Sequence, residues 1–169
     1  MKTRRLTFLA ILLAMSIVLN IVERVALGGF TNLPMLRLGL ANIVVLIVLY
    51  VYGTRDAFAV LILRIALVSL LYAGVIAFAL SLSGGFLAFF LMWLFSRMER
   101  FTIVSVSVMG AIGHAVGQIM MAMFLLETEE IIFTLPIFLL MSVPTGIFTG
   151  LVARRLIRLM REKMPILRY

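Results

Sequence analysis

Long apolar runs broken by short polar stretches organise this chain from end to end. The first run, residues 6–22, follows Lys2, Arg4 and Arg5 and gives way to Glu23 and Arg24. Such a start resembles a signal peptide, but Asn20, Glu23 and Arg24 stand where small cleavage residues belong, so the segment is read as a retained helix. Further runs predict helices at about 38–52, 57–80, 84–97, 101–126 and 131–153. The runs at 57–80, 101–126 and 131–153 reach the roughly 20 residues that cross a bilayer, whereas the fourth looks short and is taken to extend a few residues at each end of its 86–95 core. The boundary between the third and fourth helices is placed at Ser81, Ser83, Gly84 and Gly85, where paired glycines favour a turn. A single helix over 57–95 would be about 58 Å long at 1.5 Å per residue, enough for two crossings. Pro136 and Pro144 fall in the sixth run, which a bundle tolerates where neighbours satisfy the freed carbonyls.

Composition removes the alternative of a water-soluble globule. Apolar residues make up 64% of the 169 and charged residues only 13%, against about 45–50% and about 25% in soluble domains. The mean hydropathy of +1.24 makes lipid the solvent for most of the surface. The expected fold is therefore all-α, an integral membrane bundle of six transmembrane helices forming one domain over 1–169, with a basic tail at 154–169. A net charge of +8 would point to nucleic acid in a soluble protein, but here its distribution follows the membrane rule, so no nucleic-acid partner is expected. With both termini inside, Lys2, Arg4, Arg5, Arg55, Arg97, Arg100, Arg154, Arg155, Arg158, Arg161, Lys163 and Arg168 are cytoplasmic. Only Arg24 and Arg37 fall outside, beside the acidic Glu127, Glu129 and Glu130. The chain is expected in the inner (cytoplasmic) membrane with N- and C-termini cytoplasmic. Its basic tail reads as a topological anchor or as an amphipathic helix on anionic lipid.

Few residues could carry chemistry. The sequence has one aspartate (Asp56), one histidine (His114) and no cysteine, which leaves no aspartate cluster to hold Mg²⁺ against a diphosphate and no expected protein-built metal site. A phosphate-binding GxxxxGK[ST] loop is missing too, so the chain is not expected to hydrolyse ATP. No catalytic residue and no cofactor are expected. The intramembrane polar groups are instead Asn42, Arg64, His114 and Gln118. Asn42, about four residues into the second helix, either faces an outward cavity or bonds a neighbouring backbone. Arg64, roughly 10 Å by helical rise from the cytoplasmic end of the third helix, either contacts a ligand or snorkels to that end as an anchor. His114 and Gln118, spaced i, i+4, share one face and should turn inward, to bind substrate or to bond another helix. The first outer loop, 28–37, adds Asn32 and Arg37 as a specificity loop or an ordinary connection. Gly113 with Gly117 and Gly146 with Gly150 are GxxxG pairs suited to internal packing. Ala10 and Ala14 form a small-xxx-small pair on the first helix, open to another membrane protein.

Three segments then carry a family resemblance: PMLRLGLANIVVL at 34–46, LRIALVSLL at 63–71 and GAIGHAVGQ at 110–118. The chain resembles the membrane family labelled heptaprenyl diphosphate synthase component I, also called the Gx transporter family. That family is grouped with the substrate-binding S components of energy-coupling factor (ECF) transporters, six-helix proteins that capture vitamins or related molecules outside and rely on a separate ATPase module. The resemblance implies that Ala10 and Ala14 match the S-component pattern that contacts the transmembrane coupling subunit. It implies a small organic cargo, such as a vitamin, a flavin or a quinone or isoprenoid precursor. Asn32, Arg37, Asn42, Arg64, His114 and Gln118 are the candidate binding residues. The alternative is a non-catalytic membrane subunit associated with heptaprenyl diphosphate or quinone synthesis.

Overall fold

The structure of the protein, a computed structural model, describes residues 2–28 and 39–163. Among these residues it is all-helical: α1 (Lys2–Gly28), α2 (Asn42–Val51), α3 (Thr54–Val68), α4 (Gly74–Ser96), α5 (Ile103–Leu126) and α6 (Leu135–Lys163). A π-helical turn, Ser69–Ala73, joins α3 to α4, and a 3-10 turn, Glu129–Thr134, leads into α6. The candidate loop residues Asn32 and Arg37 lie outside the described residues.

Local chemistry explains most of the boundaries. Gly53, at φ +98°, turns the chain between α2 and α3 in a conformation that a side chain would strain. The Thr102 hydroxyl caps α5 by accepting from the Ser105 amide at 3.2 Å. Glu127, in the left-handed region at φ 49°, ends the same helix.

The expected break at Ser81–Gly85 is not where the chain turns. The bend falls at Gly74, with φ +69°, and α4 then runs unbroken through both glycines of the expected turn. Packing is the reason. A Cβ on Gly84 would sit 2.7 Å from Gln118 Cγ and 2.9 Å from the His114 carbonyl oxygen, and one on Gly85 would meet Ile65 and Leu61 at 3.0 and 3.1 Å. These glycines are absent side chains at a helix crossing, and their turn propensity is overridden by close approach. Helix α1 extends past both expected limits of 6–22, and α6, which starts at Leu135 after the 3-10 turn and so later than the expected 131, runs past 153, because polar residues at these ends continue the helix. The basic stretch expected as a separate tail accordingly continues α6 through Lys163.

Glycine contacts set the order of the helices. Gly110, Gly113 and Gly117 of α5 face α4, where their Cβ positions fall against Met92, Leu87 and Ser83, while a Cβ on Gly146 or Gly150 of α6 would stand 2.7 or 2.8 Å from the Val108 or Val104 Cα atom of α5. Helices α4, α5 and α6 thus pack antiparallel in sequence. The short α2 sits at the centre, with Val44, Val45, Leu46 and Val48 buried against Leu12, Leu61, Met92, Val106 and Ile157 from the other five helices.

Many of the described arginines gather at one end. The Arg5 guanidinium donates to Asp56 at 2.9 Å through Nε, and Arg161 donates to the Tyr50 carbonyl at 3.2 Å. Arg55, Arg97, Arg100, Arg154, Arg155 and Arg158 are exposed at that end, and Glu127, Glu129 and Glu130 are exposed at the other. Between the ends, large apolar side chains such as Leu70, Val75, Phe124 and Leu140 lie open on the surface. Among the described residues, four helical stretches are long and apolar enough to cross a membrane: Arg5–Glu23, Gly74–Ser96, Ile103–Leu126 and Glu129–Glu162. The expected count of six crossings is not matched by length and composition. At 10 residues, α2 is only about 15 Å long, and α3 carries Arg55, Asp56 and Arg64.

Adding one methyl at the tightest crossing tests this packing. Gly117→Ala would place a Cβ 2.7 Å from the Ser83 carbonyl oxygen and 2.9 Å from the Gly84 Cα, neither of which can yield without moving α4. A loss of about 1–3 kcal/mol is expected, read as an earlier thermal transition in detergent. Met120→Ala, on the exposed side of α5, should change it little.

Candidate functional site

Polar residues are buried where α1, α2, α3 and α5 meet. Helix α1 places Ser16, Asn20 and Glu23 on one face at i, i+4 and i+7; Ser16 and Glu23 are buried, and Asn20 lines the same interior. The chain returns from the segment after α1 through Gly39, whose φ of +76° no larger residue adopts easily. That conformation aims the amides of Gly39 and Leu40 at the Glu23 carboxylate, which accepts from them at 2.7 and 3.1 Å. The Ser16 hydroxyl donates to the Ala41 carbonyl at 3.3 Å. The GLAN segment at 39–42 is therefore held to α1 on both sides, and α2 begins at Asn42 in mid-bundle. The expectation of Asn42 four residues into its helix is corrected: it is the first residue. The reason is that Gly39 to Ala41 are turned away from helix geometry to meet Glu23.

Arg64 is 4% exposed, and its Nη2 donates to Asn42 Oδ1 at 3.0 Å. The snorkelling alternative for Arg64 is thereby corrected. A short reach to the basic end was available, but an acceptor inside the bundle holds the guanidinium there. Asn42 Oδ1 is spent on Arg64, which orients Nδ2 inward, and among the described residues Nδ2 has no hydrogen-bond partner. His114 closes the cluster from α5. Its ring lies against Gly39, where a Cβ would stand 3.3 Å from Cδ2.

Asn20, Glu23, Asn42, Arg64, Ser81 and His114 line a cavity of about 20 Å³, room for about one water. It brings Asn42, Arg64 and His114 together. Gln118 is not part of it: one turn further along α5 and 3% exposed, it lines a second cavity between α4, α5 and α6. Ala10 and Ala14 line neither cavity and are exposed on α1 beside Ile11, Met15 and Val18.

Sequence reasoning missed Glu23, Asn20 and Ser81. A signal for the first two was present in the Ser16, Asn20, Glu23 spacing, a polar stripe on an otherwise apolar helix. Ser81 stood where a turn was expected. For the cluster itself the arrangement predicts a specific weakness. Glu23→Ala leaves the Gly39 and Leu40 amides without their acceptor, at about 1–3 kcal/mol for each unsatisfied group. Amide exchange measured by mass spectrometry on a peptide spanning 39–42 should accelerate strongly, and Glu23→Gln should give a smaller change. Unaltered exchange in both variants would remove Glu23 as the anchor.

Among known proteins, the chain matches the family described as Heptaprenyl diphosphate synthase component I over residues 12–156. No curated protein and no solved structure matches it. The matched stretch contains α2 to α5 entire, all the described cavity-lining residues, and most of α1 and α6. With that much of its length covered, the chain belongs to the heptaprenyl diphosphate synthase component I family.

Proposed function

We propose that this chain is a substrate-binding membrane protein of the S-component type, serving an ECF uptake transporter for a small organic molecule. The observation that carries the reading is the buried polar cluster around Glu23, Asn42, Arg64 and His114. Burying ionisable groups at mid-bundle is expensive, and in membrane proteins such groups mark substrate sites more than they mark ordinary packing. Asn42, Arg64, His114 and Gln118 would bind or shape the site, with Asn32 and Arg37 contributing from the segment between α1 and Gly39.

In this reading all six helices cross the inner membrane, with the arginine-rich end and both termini cytoplasmic, as the segregation of charge favours. The acidic end then faces outward, and substrate enters there. The chain itself performs no catalysis. Energy comes from ATPase subunits through a transmembrane coupling subunit that docks on the open face of α1, where Ala10 and Ala14 leave room for a close helix contact.

The family description favours a second reading, a non-catalytic membrane component working with a heptaprenyl diphosphate synthase. One experiment separates the two. Extracted in mild detergent and examined by native mass spectrometry, the protein should retain a small organic molecule and bring down ATPase subunits. A co-purified prenyl synthase with no retained molecule would replace the first reading with the second. Within the transporter reading, Ala10→Leu together with Ala14→Leu should reduce uptake at least tenfold and leave ligand retention intact. Uptake unchanged by that pair would remove α1 as the docking face.

A further inference from the structure

One face of α6 changes character along its length without being covered. Ile147, Phe148 and Leu151, past Pro144, are large, apolar and exposed. Arg154, Arg155 and Arg158, exposed as well, follow on the next turns. Steps of four lead from Ile147 through Leu151 to Arg155 and from Arg154 to Arg158, and steps of three from Leu151 to Arg154 and from Arg155 to Arg158, so all six share one sector of the helix. The opposite sector is engaged inside the bundle. There Gly146 and Gly150 abut α5, the Thr149 and Ser107 hydroxyls are hydrogen-bonded at 2.9 Å, and Ala153 and Ile157 are buried in the core.

Three guanidiniums at helical neighbour positions repel one another, and the protein does not offset them. Among the described residues the one ion pair joins Arg5 to Asp56. Glu162, one turn beyond Arg158, is exposed and pairs with none of the three. Arg161 is different, since its guanidinium donates to the Tyr50 carbonyl. The depth of the arginines follows from packing. A Cβ on Gly150 would stand 2.8 Å from the Val104 Cα, so Arg154, one turn further along, is level with the chain just before α5 and its apolar stretch begin at Ile103. An apolar strip therefore ends in a cation cluster where the apolar part of the bundle itself ends.

We propose that this face of α6 seats one anionic membrane lipid, with a hydrocarbon chain on Ile147, Phe148 and Leu151 and its phosphate held by Arg154, Arg155 and Arg158. A guanidinium matches two phosphate oxygens at once. A free phosphate would leave the apolar strip unused, and a zwitterionic lipid brings a cation of its own into the cluster. Orienting the chain in the membrane does not require this arrangement, because orientation depends on how many positive charges flank a span and not on their sharing a face. The inference goes beyond the proposed function and holds under either reading of it.

Native mass spectrometry of the full chain in dodecyl maltoside, titrated with dioleoylphosphatidylglycerol or dioleoylphosphatidylcholine, measures the first bound lipid. The expected preference for the anionic lipid is at least tenfold, given roughly fivefold for each arginine near an anionic headgroup. Arg154→Gln together with Arg158→Gln should bring the two lipids to near-equal affinity. Arg55→Gln together with Arg100→Gln removes the same charge from the same end of the bundle and should leave the preference intact. Glycerophosphoglycerol, the same head without chains, should not displace the bound lipid. Equal affinity for both lipids in the unaltered protein overturns the proposal, as does a preference that survives the α6 pair or is lost equally in both pairs. Displacement by glycerophosphoglycerol overturns it too, in favour of a site for soluble phosphate.

Discussion

The architecture depends on one requirement, that a carboxylate and a guanidinium buried in an apolar bundle each find hydrogen-bonding partners. Glu23 meets it with the amides of Gly39 and Leu40, and Arg64 meets it in part, through the bond from Nη2 to the carboxamide oxygen of Asn42. In water each of these bonds would exchange for one of equal quality. Inside the bundle the exchange is not available, so every departure from this arrangement strands a charge or a backbone donor. The positive φ of Gly39, the start of α2 at Asn42 and the packing of α1 beside α2 all follow from that demand.

The second constraint is steric and acts on the other half of the molecule. Helices α4, α5 and α6 meet along glycines whose missing side chains let backbones touch. Among lipid-exposed helices there is little hydrophobic gain from association, so close van der Waals contact is what holds them. The hydrogen bond from the Ser83 hydroxyl to the Gly117 carbonyl, 2.7 Å long, adds a polar clasp at the tightest point. One side of the bundle is thus fixed by charge satisfaction and the other by fit, and His114 and Gln118 stand where the two meet.

Much of this was legible in the sequence, and the exceptions have physical causes. The helical class, the apolar surface and the gathering of arginines at one end follow from composition and loop charge, which act residue by residue. The inward turn of His114 and Gln118 followed from their i, i+4 spacing. The bend between α3 and α4 did not. Gly84 and Gly85 look like a stronger break than the lone Gly74, and only the presence of α5 decides that the pair serves packing. Glu23 was hidden for a related reason. Standing next to Arg24 at the end of an apolar run, it looks like a solvated boundary, and its acceptor role depends on amides brought back from a later segment.

The direction of synthesis gives the Arg64 pairing a meaning of its own. An arginine delivered alone to the centre of a bilayer is opposed by about 2.5–3.5 kcal/mol on insertion scales. Asn42 precedes Arg64 by 22 residues, and Glu23 lies earlier still, so the acceptor and the carboxylate leave the ribosome before the cation that shares their cavity. The chain thus presents its acceptors first and its buried charge second, and α3 packs where its counterpart already stands.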